Sequence, residues 1–194
     1  MKNLLKKITF IITFIFFSGI LSAQTAPDTT WTQMYAGGMY DWAWGVLETS
    51  DEGYIMVGDT ESAGAGSWDI GIIKTDVNGI TEWTQTYGGI YEDRGQCIQH
   101  TTDGGYIILG TTASYGEGSY DIWLVKINNS GEEEWTQTFG GTSCDWGYYV
   151  EQTTDGGYII TGSTDPDVYW VFDVILIKTD SNGDTEWTKT FDNG

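Results

Sequence analysis

The sequence is organised around a tripeptide, Trp-Thr-Gln or Trp-Thr-Lys, that recurs at a constant interval of 52 residues. Its tryptophans are Trp31, Trp83, Trp135 and Trp187. Fixed periods of about 20 to 50 residues are typical of solenoids, propellers and arrays, in which one supersecondary unit buries its apolar faces against its neighbours. The spacing therefore predicts three units at 31–82, 83–134 and 135–186, with a fourth beginning at 187–194.

Each unit contains four short segments with strand character, separated by turn signals. In the second unit they are 83–87, 95–101, 106–110 and 121–126. Asp-Gly and Asn-Gly sequences between the segments favour tight hairpin turns. The last segment is apolar without alternation, which is typical of a strand buried on both faces. Within the second segment, the matching residues Val46, Ile98 and Val150 are predicted to be buried.

Four antiparallel strands in each repeat predict an all-β fold built from β-propeller-type blades. A flat stack or a sandwich of meanders is the alternative. We favour the propeller because radial repetition protects blade edges that would otherwise pair with other chains. Three blades plus one strand are fewer than the roughly four to eight blades that close a ring. The chain is therefore expected to be a fragment of a larger propeller.

The first 30 residues differ from the repeats. Three lysines precede an uncharged stretch at 8–21, which is followed by small residues ending at Ala23. This pattern predicts a signal peptide at 1–23, followed by a short linker at 24–30. A membrane anchor is the alternative, but the stretch is shorter than the roughly 20 apolar residues of a spanning helix. We therefore expect a secreted or cell-surface protein.

The charge of the chain limits its partners. The net charge is −20, and cleavage of the signal peptide would leave five basic residues against 28 acidic ones, which gives −23. A field of this sign repels phosphates, so nucleic acid and anionic membrane surfaces are not expected as partners. No membrane insertion is expected after cleavage of the signal peptide. Solubility explains the acidity, and cation binding is the alternative. Cys97 and Cys144 occupy different positions of their repeats and are expected to be free thiols.

Four motifs recur in a fixed order along the chain. In the second unit they are Glu-Trp-Thr-Gln-Thr-Tyr-Gly-Gly, an Asp four residues after the second Gly, Asp-Gly-Gly-Tyr-Ile-Ile, and Asp-Ile-Trp-Leu-Val-Lys. This order resembles the SBBP-type repeat of bacterial β-propeller proteins, over residues 31–194. The resemblance implies an exported or surface protein, often with further modules downstream. It carries over no catalytic residues.

Two sets of aspartates recur at the same interval of 52 residues. They are Asp41, Asp93 and Asp145 after the glycine pairs, and Asp69, Asp121 and Asp173 before the fourth segment. Both sets are predicted at one face of the blades, where they could bind cations or sugar hydroxyls. Their recurrence in every unit favours a structural role, in which each carboxylate accepts hydrogen bonds from loop N–H groups. The four repeated tryptophans are likewise assigned a structural role.

Aromatic residues are concentrated in the loops predicted at this same face. The candidate ligand-binding residues are Tyr40, Trp42, Trp68, Tyr91, Tyr115, Trp146 and Trp170. Aromatic side chains on loops of a rigid scaffold offer a large contact area at small entropic cost. This face is therefore a candidate binding surface for a protein or a carbohydrate, and packing of these aromatics between blades is the alternative.

No motif in the sequence points to catalysis, and no catalytic residue, cofactor or metal site is predicted. The single histidine, His100, is expected to face solvent from a strand. Asp76-x-Asn78-Gly79 and Asp180-x-Asn182-Gly183 resemble the start of a calcium loop, but a strand follows at once and a hairpin turn explains them better. We expect a non-enzymatic binding or display scaffold. The alternatives are a carbohydrate-binding propeller and a secreted hydrolase completed by a downstream module.

Overall fold

The structure, a computed structural model, describes residues 32–35, 37–165 and 171–191. The predicted signal peptide and linker lie outside this part of the chain. The described residues form twelve strands and no helix, and hence no helix that could cross a membrane. The strands are β1 Asp41–Glu48, β2 Tyr54–Thr60, β3 Asp69–Thr75, β4 Thr81–Tyr87, β5 Asp93–His100, β6 Tyr106–Thr112, β7 Asp121–Ile127, β8 Glu133–Phe139, β9 Asp145–Gln152, β10 Tyr158–Thr164, β11 Asp173–Thr179 and β12 Thr185–Phe191.

The strands form three four-stranded antiparallel sheets, each made of consecutive strands. Sheet 1 contains β1 to β4, sheet 2 contains β5 to β8, and sheet 3 contains β9 to β12. The all-β fold and the four-stranded repeat are therefore confirmed. The sheets are offset from the sequence units, because each Trp-Thr strand is the last strand of a sheet rather than the first. Residues 187–191 accordingly complete sheet 3 instead of opening a fourth unit.

The turn before each Trp-Thr strand explains this offset, because it folds that strand back onto the preceding one. The turn between β3 and β4 is closed by Asp76, whose Oδ1 accepts hydrogen bonds from the N–H groups of Asn78 and Ile80 at 2.9 and 2.8 Å. Gly79 follows with a φ of 75°, which glycine adopts without steric cost. Asp180 makes the same contacts in sheet 3. Both sequences are therefore hairpin turns, as predicted.

The turn between β1 and β2 contains the one described non-glycine residue with a positive φ, Glu52 at 65°. Its counterparts Gly104 and Gly156 have φ values of 89° and 88°. Because this conformation costs an L-residue roughly 1–2 kcal/mol, we expect Glu52→Gly to raise the free energy of unfolding by about 0.5–1 kcal/mol in urea denaturation. The reciprocal change, Gly104→Ala, should lower it by about 1 kcal/mol. A loss of stability in Glu52→Gly would contradict this account.

Two apolar cores fill the spaces between the sheets. The core between sheets 1 and 2 includes Ile55, Val57, Ile70, Ile72, Ile98, Ile108 and Val125. The core between sheets 2 and 3 includes Ile107, Leu109, Ile122, Leu124, Val150, Ile160 and Ile177. Because sheet 2 packs on both sides, every residue of β6 and β7 is buried. This confirms, for sheet 2, the prediction drawn from the apolar run without alternation, whereas the matching strand of sheet 3 is exposed at Val174.

The outer faces of sheets 1 and 3 have no further described sheet packed against them. Val46 is 61% exposed, whereas its counterparts Ile98 and Val150 are 2% and 0% exposed. The prediction that Val46 is buried is therefore wrong, because no described sheet packs on this face of sheet 1. At the other end of the stack, Tyr149 and Val174 of sheet 3 are 47% and 57% exposed.

The segment before β1 partly covers sheet 1. Tyr35 donates its hydroxyl hydrogen to the carbonyl oxygen of Gly79 at 2.5 Å, as Tyr87 at the end of β4 does to Gly131 of sheet 2. Residues 32–35 therefore occupy, against sheet 1, the place that the end of β4 occupies against sheet 2. A cleft of about 530 Å³ remains between this segment and the face of sheet 1.

A buried lysine holds two carboxylates at the turn end of each sheet. The three groups are Lys74 with Asp51 and Glu82, Lys126 with Asp103 and Glu134, and Lys178 with Asp155 and Glu186. Their N–O distances are 2.6 to 3.2 Å. Each ammonium group also donates to the carbonyl oxygen of the next residue. Burial alone would lower the pKa of Lys74, but its hydrogen bonds to Glu82 and Asp51 raise it.

Candidate binding face

The longer connections of the described sheets lie at one end, which we call the loop face. It comprises the β2–β3, β4–β5, β6–β7 and β8–β9 loops, at 61–68, 88–92, 113–120 and 140–144. Hydrogen bonds join the loops of successive sheets: Asp93 N–H donates to Trp68 O, and Asp145 N–H donates to Tyr120 O, both at 2.8 Å. The short Asp-Gly and Asn-Gly turns lie at the opposite end.

The first set of recurring aspartates binds the loop backbone. Carboxylate oxygens of Asp41, Asp93 and Asp145 accept hydrogen bonds from N–H groups of Gly37, Gly89 and Gly141 at 2.8 to 2.9 Å. In the second set, Asp69 and Asp121 accept from Gly66 and Gly118, and Asp173 is half-buried. These are the contacts expected of the structural role.

Three tryptophans and an arginine form a cluster on the loop face, which we call the tryptophan cluster. The ring centroids of Trp42 and Trp68 are 5.6 Å apart, and those of Trp42 and Trp44 are 5.9 Å apart. The Arg94 guanidinium lies 4.9 Å from the centroid of Trp68, within range of a cation–π interaction. Trp42 and Trp44 are each 50% exposed, so the cluster presents apolar surface to solvent.

A buried carboxylate beneath the cluster fixes its geometry. Asp59 accepts hydrogen bonds from Trp44 Nε1 at 2.8 Å, from Gly95 N–H at 2.9 Å and from Arg94 Nη1 at 3.3 Å. Burial raises the pKa of Asp59 despite these donors. Burial alone would lower the pKa of Arg94, but its ion pairs with Glu92 and Asp59 raise it. The cluster is therefore held in place by polar contacts on both sides of the interface between sheets 1 and 2.

Other predicted aromatics of this face pack against their neighbours. Trp146 stacks on Tyr120 with centroids 4.8 Å apart. Tyr115 lies 5.2 Å from the buried ring of Trp123 and donates its hydroxyl hydrogen to Gly88 O at 3.1 Å. These two predicted residues therefore contribute to loop packing as well as to the surface. Tyr40 and Tyr91 are exposed, and Trp170 lies outside the described residues.

The repeated tryptophans have unequal surroundings. Trp83 and Trp135 are half-buried and pack against the first and second core respectively. Trp187 is 39% exposed, because no described sheet follows sheet 3. Trp31 lies outside the described residues.

Sequence reasoning missed two members of the tryptophan cluster. Trp44 lies at a β-bulge, where the register of β1 with β2 shifts between Ala43 and Gly45. Alternation along the strand therefore does not predict which way its side chain points. The sequence gives one indication that Arg94 is unusual, because it is the sole arginine of the chain. Nothing in the sequence shows that it reaches Asp59, 35 residues earlier.

The residue types that most often carry chemistry are placed as follows. Within the described ranges, no group of three or more His, Cys, Asp or Glu residues is placed to hold a metal ion. Cys97 and Cys144 are free and buried, as expected. His100 is exposed, as expected, and its Nε2 lies 2.9 Å from Glu48 O.

No protein-family model and no curated protein matches the chain. The resemblance to SBBP-type repeats therefore rests on the order of the motifs.

Proposed function

We propose that the chain is an exported, non-enzymatic repeat scaffold of the β-propeller type, whose loop face binds a partner at the cell surface or outside the cell. The observation that carries this proposal is the tryptophan cluster. Trp42 and Trp44 are half-exposed, yet the cluster is ordered. Trp44 donates a hydrogen bond to Asp59, Arg94 lies over Trp68, and Trp42 packs against both of the other rings. Trp and Arg are enriched among the residues that dominate binding energy, and a pre-ordered surface loses little entropy on binding.

The open faces of the outer sheets support the propeller. In a propeller, each blade packs its faces against the two neighbouring blades. Sheet 1 presents Val46 and Met56 where sheet 2 presents the buried Ile98 and Ile108, and these pairs match in register. Further blades of the same repeat would cover the strand residues of these faces and would leave the loop face accessible. The motif order supports membership of the SBBP-type repeats, and the basic, apolar start of the chain supports export.

The charge of the chain favours a partner with a basic surface. An acidic scaffold attracts such a partner over distance, and the apolar rings then supply short-range contact. We therefore propose a protein ligand with exposed basic and apolar groups. A carbohydrate is the second candidate, because the tilted rings of Trp42 and Trp68 lie beside the polar groups of Arg94 and Glu92. An apolar platform flanked by a few hydrogen-bonding groups suits a sugar.

Binding selections test these proposals. The chain without residues 1–23 is offered to a displayed peptide library and to a glycan array. We expect basic, aromatic-containing peptides to be enriched, and Trp42→Ala to weaken their binding at least tenfold, which corresponds to about 1.4 kcal/mol or more. Binding is measured by titration calorimetry with the selected peptides.

Trp187→Ala is the matched control. This tryptophan is similarly exposed but lies on β12, opposite Lys178 near the turn end of sheet 3. It should leave the affinity unchanged. Glycan binding that is lost in Trp42→Ala, without peptide enrichment, would select the carbohydrate instead. Ligands that bind equally well to wild type and Trp42→Ala would show that the tryptophan cluster is not the binding surface.

A further inference from the structure

Two pairs of buried aspartates face each other across the interfaces between successive sheets. Asp69 at the start of β3 lies beside Asp93 at the start of β5, and Asp121 at the start of β7 lies beside Asp145 at the start of β9. These four residues are between 0% and 2% exposed. The two pairs are 52 residues apart, so the same arrangement occurs at both interfaces.

The carboxylates of each pair approach closely around a glycine. A methyl group on Gly88 would lie 2.0 Å from Asp69 Oδ1 and 2.9 Å from Asp93 Oδ2, so these oxygens are within about 5 Å of each other. At Gly140 the corresponding distances are 2.3 Å to Asp121 Oδ1 and 2.5 Å to Asp145 Oδ2. Any other side chain at either glycine would collide with the carboxylates.

Several oxygens of these pairs are unsatisfied by the protein. Asp69 Oδ1, Asp93 Oδ1 and Asp145 Oδ1 are buried and accept no hydrogen bond from the described residues. The ion pairs found in the described part of the chain involve other carboxylates. Loop N–H groups bind the second oxygen of these three aspartates, and Gly118 N–H binds one oxygen of Asp121. The structural role therefore leaves a buried oxygen without a donor in Asp69, Asp93 and Asp145.

Two adjacent buried carboxylates cannot both stay ionised without a positive partner. Burial raises the pKa of both Asp69 and Asp121, and the neighbouring carboxylates of Asp93 and Asp145 raise it further. Either a proton or a cation must compensate each pair. Ca²⁺ takes carboxylate and carbonyl oxygens at about 2.3–2.6 Å, so a single ion can bridge two oxygens that are no more than about 5 Å apart. The strongly negative chain also concentrates divalent cations near its surface.

We propose that Asp69 with Asp93, and Asp121 with Asp145, form two equivalent Ca²⁺ sites that join successive sheets at the loop face. Loop carbonyl oxygens and water complete the coordination of each ion. The sites are structural, and they are independent of the ligand that the tryptophan cluster binds. Because each has only two carboxylates, a dissociation constant on the order of 10⁻⁴ to 10⁻³ M is expected.

Titration calorimetry with CaCl₂ at pH 7 tests this on the chain without residues 1–23. We expect two ions per chain, and a rise in melting temperature of at least about 4 °C in 5 mM Ca²⁺ relative to EDTA. Asp93→Asn should reduce the stoichiometry to one, as should Asp145→Asn, and the double variant should bind none. In EDTA, Asp93→Asn should melt no lower than wild type, since it removes an uncompensated buried charge.

Asp41→Asn is the matched control. Asp41 begins β1 as Asp93 begins β5, and it makes the same contacts to a glycine N–H and a serine hydroxyl. Thr60 donates to its other oxygen, so neither oxygen is left unsatisfied. This variant should keep both ions.

Three results would overturn the proposal. The first is no binding up to 10 mM Ca²⁺ together with stabilisation on acidification from pH 7 to 5, which would show that each pair shares a proton. The second is binding that persists in the double variant, which would show diffuse attraction to the acidic surface. The third is an equal loss in Asp41→Asn.

Discussion

Replacing Leu124 by alanine is expected to lower the free energy of unfolding by about 3–5 kcal/mol. Leu124 lies in β7, is 0% exposed and packs in the core between sheets 2 and 3. The sheets on both sides hold their neighbours in place, so the space left by the side chain cannot collapse. The loss then includes both the transfer of the removed atoms and the cavity. Urea denaturation followed by tryptophan fluorescence measures it.

Leu176 provides the same substitution in a different environment. It occupies the matching position of β11, where it is half-buried on the outer face of sheet 3. Leu176→Ala should cost only about 1–2 kcal/mol, because much of the removed surface already contacts water. Equal costs for the two variants would contradict the open face of sheet 3, and would show that a further sheet covers it.

The double variant Asp103→Asn, Glu134→Gln is expected to lose about 3 kcal/mol, because it leaves a buried ammonium group without a counter-charge. Lys126 is only 3% exposed at its side chain, whereas Asp103 and Glu134 are 59% and 44% exposed. The carboxylates can return to water, but the lysine cannot. Thermal and urea denaturation at pH 7 give the loss.

Adding Lys126→Met to this double variant separates charge from packing. The triple variant should recover most of the lost stability, since methionine fills the same apolar channel without needing a partner. In contrast, Lys126→Met alone should cost less than the double variant, because its former partners are solvated. A triple variant as unstable as the double one would show that the loss comes from the turn rather than from the unpaired charge.

Acid titration gives a second measurement on this site. Burial opposes the ionisation of Asp103, but hydrogen bonds from Thr101 and Gly105 and the ion pair with Lys126 lower its pKa to about 2. A lowered carboxyl pKa stabilises the fold above the unfolded value of about 3.8. That contribution is lost as the pH falls from about 4 through 2. Asp103→Asn should therefore reduce the loss of stability over this range.

The strands and turns were predictable because their signals are local. Asp-x-Asn-Gly and Asp-Gly-Gly specify hairpins within four residues, and the apolar run of β7 specifies burial on both faces. The failed prediction at Val46 has a different cause. Repetition in sequence predicts equal environments, but an outer sheet lacks a neighbour that an inner sheet has. Burial at the ends of a stack therefore depends on what lies next to it.

The loop face was only partly predictable. Its location followed from the meander, since alternate connections lie at the same end of a sheet. The tryptophan cluster depends on a bulge in β1 and on Arg94 reaching across two sheets, and neither leaves a pattern in the sequence. The lysine sites were missed although a signal existed. Asp51, Lys74 and Glu82 recur as sets at the interval of 52 residues, which indicates a conserved spacing of charges within the chain.

The pairing of each strand with its neighbours in sequence bears on the order of folding. All nine strand pairs join consecutive strands, so each sheet forms through short loop closures that cost little chain entropy. A sheet can therefore assemble before the following one leaves the ribosome, and each core closes when its second sheet is complete. Sheet 2, which both cores flank, should then be the slowest to exchange its amide hydrogens with solvent.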